Sequence, residues 1–326
     1  MNIIHTKNLT KTFRRFKKEP GLKGSVKSLF NRKFVDKTAV SEFDLSINSG
    51  EFIGLIGPNG AGKTTLVKML TGIIAPTSGE LSVLGHYPNK LENTFKMQYA
   101  IVMGQKSQLF FELTPVDTFQ LFKVLYNIPD EVYKYNIEYF VNLFDISDFL
   151  NVQVRTLSLG ERMKMELVVA LLHNPSVLFL DEPTIGLDAT AQRQIRTFLK
   201  EVNEQKGTTI ILTSHYMEDV KSLCPRSVVI NNGKKLYDGS TEQLFNSYQT
   251  DKKITISFDT ATDFSIPTNA KLLGENQYKI SLLVPKEKIS TVIKEIMIDY
   301  SPMDISVEDD DIGTVVERIY SGGDTL

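Results

Sequence analysis

Three short apolar runs punctuate the chain: Glu51-Phe-Ile-Gly-Leu-Ile56, Ser176-Val-Leu-Phe-Leu-Asp181 and Thr208-Thr-Ile-Ile-Leu-Thr-Ser214. Unbroken apolar runs bounded by turn-forming residues mark strands buried on both faces, as in a parallel sheet. After the first run, Leu66, Val67 and Leu70 recur at helical spacing. The pattern between about 90 and 175 is mostly helical, with Phe119, Phe122, Leu125 and Tyr126 on one face and Tyr139, Phe140, Leu143 and Phe144 on another. Beyond Tyr248-Gln-Thr-Asp251, which reads as a linker, the periods shorten again. Lys253 to Phe258 and Tyr278 to Leu283 alternate like strands, and Ile289, Val292, Ile293 and Ile296 line a helix face. The pattern therefore predicts an α/β domain over 1–245 and a small α+β unit over 252–326, with a helical insertion at about 90–175. There is no internal repeat.

Composition narrows the class. A chain of 326 residues holds one large domain and a small one, and 41% hydrophobic with 23% charged residues is ordinary for a globular protein. The single cysteine, Cys224, excludes a disulfide framework and a cysteine-built zinc site. No stretch approaches the roughly 18 apolar residues of a membrane span, and the N-terminus shows no signal-peptide core. Work at a membrane would need another chain to cross it. The charge is uneven: residues 7–37 carry eleven Lys/Arg against two Asp/Glu, so the rest of the chain is net acidic. Such a basic arm suits an anionic neighbour, either lipid head groups or nucleic acid.

Candidate chemistry begins at Gly54-Leu-Ile-Gly-Pro-Asn-Gly-Ala-Gly-Lys-Thr-Thr-Leu66. Gly57, Gly62, Lys63 and Thr64 fit G-x-x-x-x-G-K-[ST], between a strand-like run and a helical one. In that context Pro58, Asn59, Gly60, Ala61 and Thr65 complete a loop whose N–H groups face a phosphate at a helix N-terminus. Lys63 would bridge the β- and γ-phosphates of ATP, and the Thr64 hydroxyl would hold Mg²⁺. Far downstream, Ser158 and Glu161 in Leu157-Ser-Leu-Gly-Glu-Arg162 form a capping box that opens a helix. The run ending Asp181-Glu-Pro-Thr184 follows it, and His215 closes the next strand.

This order of motifs resembles the nucleotide-binding subunit of ABC transporters over residues 1–240. The resemblance implies a P-loop NTPase cassette, with a RecA-like core and a helical subdomain, and ATP hydrolysis. It assigns Asp181 to the Mg²⁺ shell, Glu182 to the attacking water and His215 to the γ-phosphate. Gln105 would sense Mg²⁺ and link to a membrane subunit, with Gln108 a near competitor. Phe13 sits where an aromatic stacks on adenine; an ordinary core phenylalanine is the other reading, with Phe16 nearby. Asp188 would cross to a second subunit. Ser158 and Gly160 would cap the γ-phosphate bound by a second chain, through a helix N-terminus. Leu159 and Glu161 depart from the commoner glycine and glutamine there.

The resemblance therefore implies a dimer of cassettes enclosing two ATP, as a homodimer or with a paralogous cassette, and an integral membrane permease on whose cytoplasmic side it sits. The segment Arg14 to Lys33, with Leu22, Val26, Leu29 and Phe30 on one helical face and Lys23, Lys27, Arg32 and Lys33 around it, reads as a basic insert at about 14–37. It fits an anionic lipid surface or a permease, or a solvated loop packed on the cassette. Together with Asp304 to Asp309 and Glu317-Arg-Ile-Tyr320 it is similar to a bacterial subgroup serving type 2 and polysaccharide exporters. The small terminal unit would be a regulatory or dimerisation domain, too small and too helical for a carbohydrate-binding sandwich. A soluble ABC ATPase acting on nucleic acid or ribosomes is the rival, as is an importer. Those soluble proteins usually carry two cassettes, a coiled-coil insertion or zinc cysteines, so no nucleic acid is expected here.

Overall fold

The computed structural model describes residues 1–17, 33–104, 106–214, 216–248, 251–260 and 262–309. The chain divides into two compact units, Met1–Gly239 and Ser240–Leu326. The division thus falls ahead of the 245/252 boundary expected from sequence, where composition alone marked the change.

Strands β1 (Asn2–Lys17), β2 (Lys33–Asn48) and β4 (Ser78–Val83) of the first unit make an antiparallel sheet in the order β2-β1-β4. A second sheet has six strands: β3 (Phe52–Ile56), β5 (Tyr99–Met103), β6 (Val177–Asp181), β7 (Thr209–Thr213), β8 (Arg226–Asn231) and β9 (Lys234–Ser240). Its order is β5-β6-β7-β3-β8-β9, and the pairs from β5 through β8 are parallel. The three apolar runs are its centre, and β3 and β7 are buried at every residue. Helix α1 (Lys63–Leu70) leaves β3 through the glycine loop. Its Leu66, Val67 and Leu70 share one hydrophobic cluster with Phe43 and Leu45 of one sheet and Ile53, Phe179 and Ile211 of the other. One helix thereby joins both sheets.

The expected helical insertion is interrupted. After the short α2 (Asn93–Lys96), residues 99–103 form β5, paired along β6. The helical part begins at α3 (Pro115–Leu125), continues through α4 (Asp130–Phe144) and ends with α5 (Leu159–Leu171). A Thr114–Asp117 capping box with Pro115 in the first turn starts α3 where the chain leaves the loop. Phe140 and Phe144 turn inward and meet Phe198 of α6 (Ala189–Lys206), Phe144 in a stack with 3.7 Å between centroids. The other expected face is split: Phe119 is buried, Tyr126 stacks on His173, but Leu125 is exposed beside Val124.

Helix α7 (Met217–Leu223) follows β7. The second unit contains α8 (Thr241–Tyr248) and a four-stranded antiparallel sheet of β10 (Asp251–Ser257), β11 (Lys271–Asn276), β12 (Lys279–Pro285) and β13 (Asp304–Asp309), in the order β11-β12-β10-β13. Helix α9 (Ile289–Asp299) covers one face, placing Val292 and Ile296 on Ile254, Ile256, Ile280 and Leu282. Among its described residues the unit has four strands and two α-helices. The β1–β2 hairpin carries the ends of the basic insert, with Arg14 paired to Asp36 in the register. The amphipathic stretch from Leu22 to Arg32 lies outside the described residues.

Leu282→Ala is expected to destabilise the second unit by about 2–5 kcal/mol, because a fully buried side chain leaves a cavity. Ile298→Ala, at an exposed position, should stay within about 0.5 kcal/mol. Urea titrations followed by circular dichroism check both.

Candidate functional site

The parallel strands all end at one edge of the sheet, and the loops leaving that edge converge. Between β3 and α1 the chain turns through Gly62, which caps the helix at φ 115° and leaves no room for a Cβ, since one would meet the Ala39 carbonyl oxygen at 2.4 Å. The turn wraps the Lys63 ammonium, which donates to the carbonyls of Gly57 at 2.6 Å and Pro58 at 3.2 Å. Burial pushes the Lys63 pKa below the ordinary lysine range, and the carboxylates of Glu182 and Asp181 oppose that shift.

Asp181 ends β6 opposite Thr213 on β7, and the Thr213 hydroxyl donates to it at 2.5 Å. The Thr64 hydroxyl lies 3.2 and 3.3 Å from the two carboxylate oxygens. Glu182 follows in a left-handed conformation (φ 57°), its N–H donating to the Thr213 carbonyl at 2.9 Å. Backbone strain of this kind at a non-glycine residue marks a position held by its surroundings. Gly104 lies against it: a Cβ there would stand 2.3 Å from the Glu182 carbonyl oxygen, and Gly104 N–H donates to the Asp181 carbonyl.

Phe13, the loop from Asn59 to Thr65 and Glu182 line one cleft of about 310 Å³. Phe13 is half-buried there with the Lys11 ammonium 5.2 Å from its ring, so it is a wall of the cleft and not a core residue. Arg15 and Lys37 also line it. Sequence reading placed both in the basic arm without assigning them to the site; strand pairing brings them in, because Lys37 lies opposite Phe13. A larger cavity of about 690 Å³ involves Tyr135, Asn136 and Lys206, at the opposite ends of the strands from this chemistry.

Ser158 caps α5, its hydroxyl accepting from Glu161 N–H at 3.3 Å while the Glu161 carboxylate accepts from Ser158 N–H at 2.7 Å. Asp188 caps α6 through Ala191 N–H. Gly160 fits against α6 where a Cβ would meet that of Ala191 at 2.9 Å, and exposed Leu159 reaches toward Gly186. Ser158, Gly160 and Asp188 are thus grouped together, and none of them lines the Phe13–Lys63 cleft. Gln105 and His215 lie outside the described residues. The competitor Gln108 is engaged elsewhere, its side-chain amide donating to the Ile101 carbonyl.

A family model described as "ABC transporter" matches residues 40–185, a span containing the glycine loop, Ser158, Asp181 and Glu182. The chain is 34% identical over 221 residues to the ABC transporter ATP-binding protein NatA of Bacillus subtilis (strain 168), covering 67% of this chain and 89% of that one. The chain belongs to the ABC transporter family. It is 32% identical over 216 residues to the Nod factor export ATP-binding protein I of Cupriavidus pinatubonensis, covering 66% of each. In fold it is similar to the dimeric cassette MJ0796 in a post-hydrolysis state bound to ADP and Pi, with a TM-score of 0.59 at 22% identity over 73% of this chain and 98% of that one. This ABC protein is an ATP-binding subunit and an ATPase.

Besides Arg15 and Lys37, sequence reading missed a buried acid at this edge. Asp219, in the first turn of α7, is fully buried and accepts hydrogen bonds on one oxygen from Thr184 and from Ser214 at 2.8 Å. Its other oxygen accepts from Arg196 at 2.6 Å. Thr184 stands two residues after Glu182, and Ser214 stands immediately before His215. One carboxylate therefore ties the two loops together. Its only sequence signal was an acid four residues after a candidate histidine, in a helix's first turn, where acids are common.

Asp219→Ala should destabilise the first unit by about 1–3 kcal/mol, because it removes the buried acceptor of Thr184, Ser214 and Arg196, leaving Arg196 to Glu218 and Gln192. Turnover should fall while ATP affinity, set at the glycine loop, changes little. Thermal melts and nucleotide titration check the two parts.

Proposed function

We propose that two copies of this chain close around two ATP molecules and drive a separate integral membrane permease in the direction of export. The observation that carries this reading is the separation of its two half-sites. Lys63, Thr64, Asp181 and Glu182 gather at one cleft, whereas Ser158, Gly160 and Asp188 stand together away from it. A helix N-terminus capped by Ser158 offers free N–H groups and a positive dipole end, which suits the γ-phosphate held by a partner's loop. A homodimer would supply both halves twice.

In the closed pair, the N–H groups from Gly60 to Thr65 would cradle the β-phosphate and Lys63 would bridge β and γ. Phe13 would stack on the adenine. Glu182 would take a proton from water as its oxygen attacks the γ-phosphorus; the bond from γ-phosphorus to the bridging oxygen breaks, leaving ADP. His215 would hold the γ-phosphate and water in line, and Gln105 would contact the metal and water. The Thr64 hydroxyl and the Asp181 carboxylate converge within 3.3 Å, an oxygen donor set that suits Mg²⁺. No group of three or more His, Cys, Asp or Glu capable of holding a metal occurs among the described residues, in keeping with an ion that takes its other ligands from phosphate and water. Bound there, Mg²⁺ would neutralise charge on the phosphates.

The permease contact is supported by exposed apolar side chains on the loop before α3 and along it. Phe110, Phe111 and Leu113 stand out with Leu121, Val124 and Leu125, and Val124 is 71% exposed. Exposed apolar side chains of this kind suit a partner surface. Among the described residues no helix is long and apolar enough to cross a membrane. The relative named for Nod factor export supports the direction. The basic segment 18–33 supports contact with anionic lipid. Exposed Met297, Ile298 and Met303 support a dimerisation or regulatory role for the second unit.

Glu182→Gln is expected to lower kcat by about 10²–10⁴-fold and to elute as a dimer with MgATP on size-exclusion chromatography. A monomer hydrolysing at the wild-type rate would remove Glu182 from the mechanism. Replacing Lys23, Lys27, Arg32 and Lys33 with Gln should reduce co-sedimentation with anionic vesicles at low salt, and the difference should fade at about 1 M salt. Equal sedimentation at low salt would leave the segment as a solvated loop.

A further inference from the structure

The apolar stripe of α5 is broken by one acid. Glu166 lies among Met163, Met165, Leu167 and Val168, and only 5% of it is exposed. A carboxylate is retained in such surroundings only when donors surround it. Here they all come from one loop. Glu166 accepts from the Ser107 hydroxyl, from Gln108 N–H at 2.9 and 3.0 Å on its two oxygens, and from Leu109 N–H at 3.3 Å. Burial raises its pKa from the ordinary carboxylate range, and the Ser107, Gln108 and Leu109 donors and the Arg162 charge oppose that shift.

Arg162, four residues earlier on the same helix face, extends the contact. Its guanidinium stands 5.7 Å from the Phe111 ring, and its buried Nε has no hydrogen-bond partner. The same loop is held from the segment before Ser158: Arg155 N–H donates to the Phe111 carbonyl at 3.1 Å, Val154 N–H donates to the Leu113 carbonyl at 3.0 Å, and Arg155 pairs with Glu112 at 3.3 Å. Upstream, Gly104 is held by β6 instead, through the Asp181 carbonyl and close packing on Glu182. From Ser107 onward the backbone N–H groups turn to the helix headed by Ser158, while the Gln108 side chain keeps one contact with Ile101 of β5.

We propose that Glu166 is a positioning residue that locks the loop Ser107–Phe111 to the helix headed by Ser158, so that the exposed apolar surface and Ser158 move as one body against the strand bearing Asp181 and Glu182. The role of that surface rests on the permease reading above; the lock itself does not. Phe110 and Phe111 occupy the outer end of this body and Ser158 its inner end. A push on the loop is then delivered to the phosphate-facing helix through a short set of buried polar contacts. An alanine at 166 would release the loop, leaving the Gln108 and Leu109 N–H groups without this acceptor.

Hydrogen exchange on the full chain tests this with ATP alone, in the Glu182→Gln background so that nucleotide persists. With Glu166 present, MgATP should slow exchange in residues 106–112 and 159–171 together, by about tenfold each. In Glu166→Ala the 159–171 response should persist, while that of 106–112 is lost. Ser107→Ala should show a smaller loss, and Glu166→Gln should restore part of the paired response. A purely structural contact would raise exchange equally with and without MgATP. Should Glu166→Ala lose its cooperative melt, Ser107→Ala and Glu166→Gln decide. A 106–112 response that still follows 159–171 in the folded variants overturns the proposal, as does the absence of a paired response with Glu166 present. Because no permease enters the measurement, failure here is separate from failure of the permease reading, which an unchanged lock would leave standing.

Discussion

The Asp181 carboxylate accepts the Thr213 hydroxyl from the next strand and faces the Thr64 hydroxyl from the helix after the glycine loop. Much of the site is placed by that three-way contact. It joins two neighbouring parallel strands to the first helix at the edge where all the strands end, as ligand sites in open parallel sheets require. Glu182 is then carried past Thr213 in a left-handed turn, and Gly104 closes on it from the adjacent strand. The parallel pairing of β5, β6 and β7 makes these three approaches possible at once.

Around that contact the structure spends its buried polar groups on linking loops to one another. Asp219 joins the stretch after Glu182 to the stretch before His215, and Glu166 joins the loop after Gly104 to α5. Each is a buried acid with its oxygens filled, Asp219 by donors from three segments and Glu166 by donors from one loop. Such groups add little net stability compared with apolar packing, but they fix geometry, since an unfilled donor in the interior is costly. Both acids accordingly lie between loops and helices beside the site, and not within the hydrophobic cluster.

The apolar packing does a different task. Phe43, Leu45, Ile53, Leu66 and Phe179 form one cluster that makes the two sheets and α1 a single block beneath the glycine loop. Phe140, Phe144 and Phe198 attach the helical part to α6. Exposed Phe110, Phe111, Val124 and Leu125 remain outside both groups. That division between a packed base and an apolar rim suits the proposed contact with a permease.

The chain itself determined its central strands, its glycine loop and the capping boxes, because each of these is written in neighbouring residues. Short apolar runs bounded by turn-forming residues suit doubly buried strands, and a Ser or Thr three residues before an acid at the head of a helical pattern suits a capping box. The acids at 181 and 182 and the grouping of Ser158 with a helix start were legible for the same reason. Only tertiary structure decided that Arg15 and Lys37 share a cleft with Lys63, that Leu125 faces outward, and that residues 99–103 pair along β6. Asp219 and Glu166 looked like ordinary helical acids until the loops that fill them were in place. Their partners lie up to 59 residues away in the chain, and hydrogen bonding across such a distance leaves no local pattern, because it depends on which backbone donors the fold has left buried and unmet.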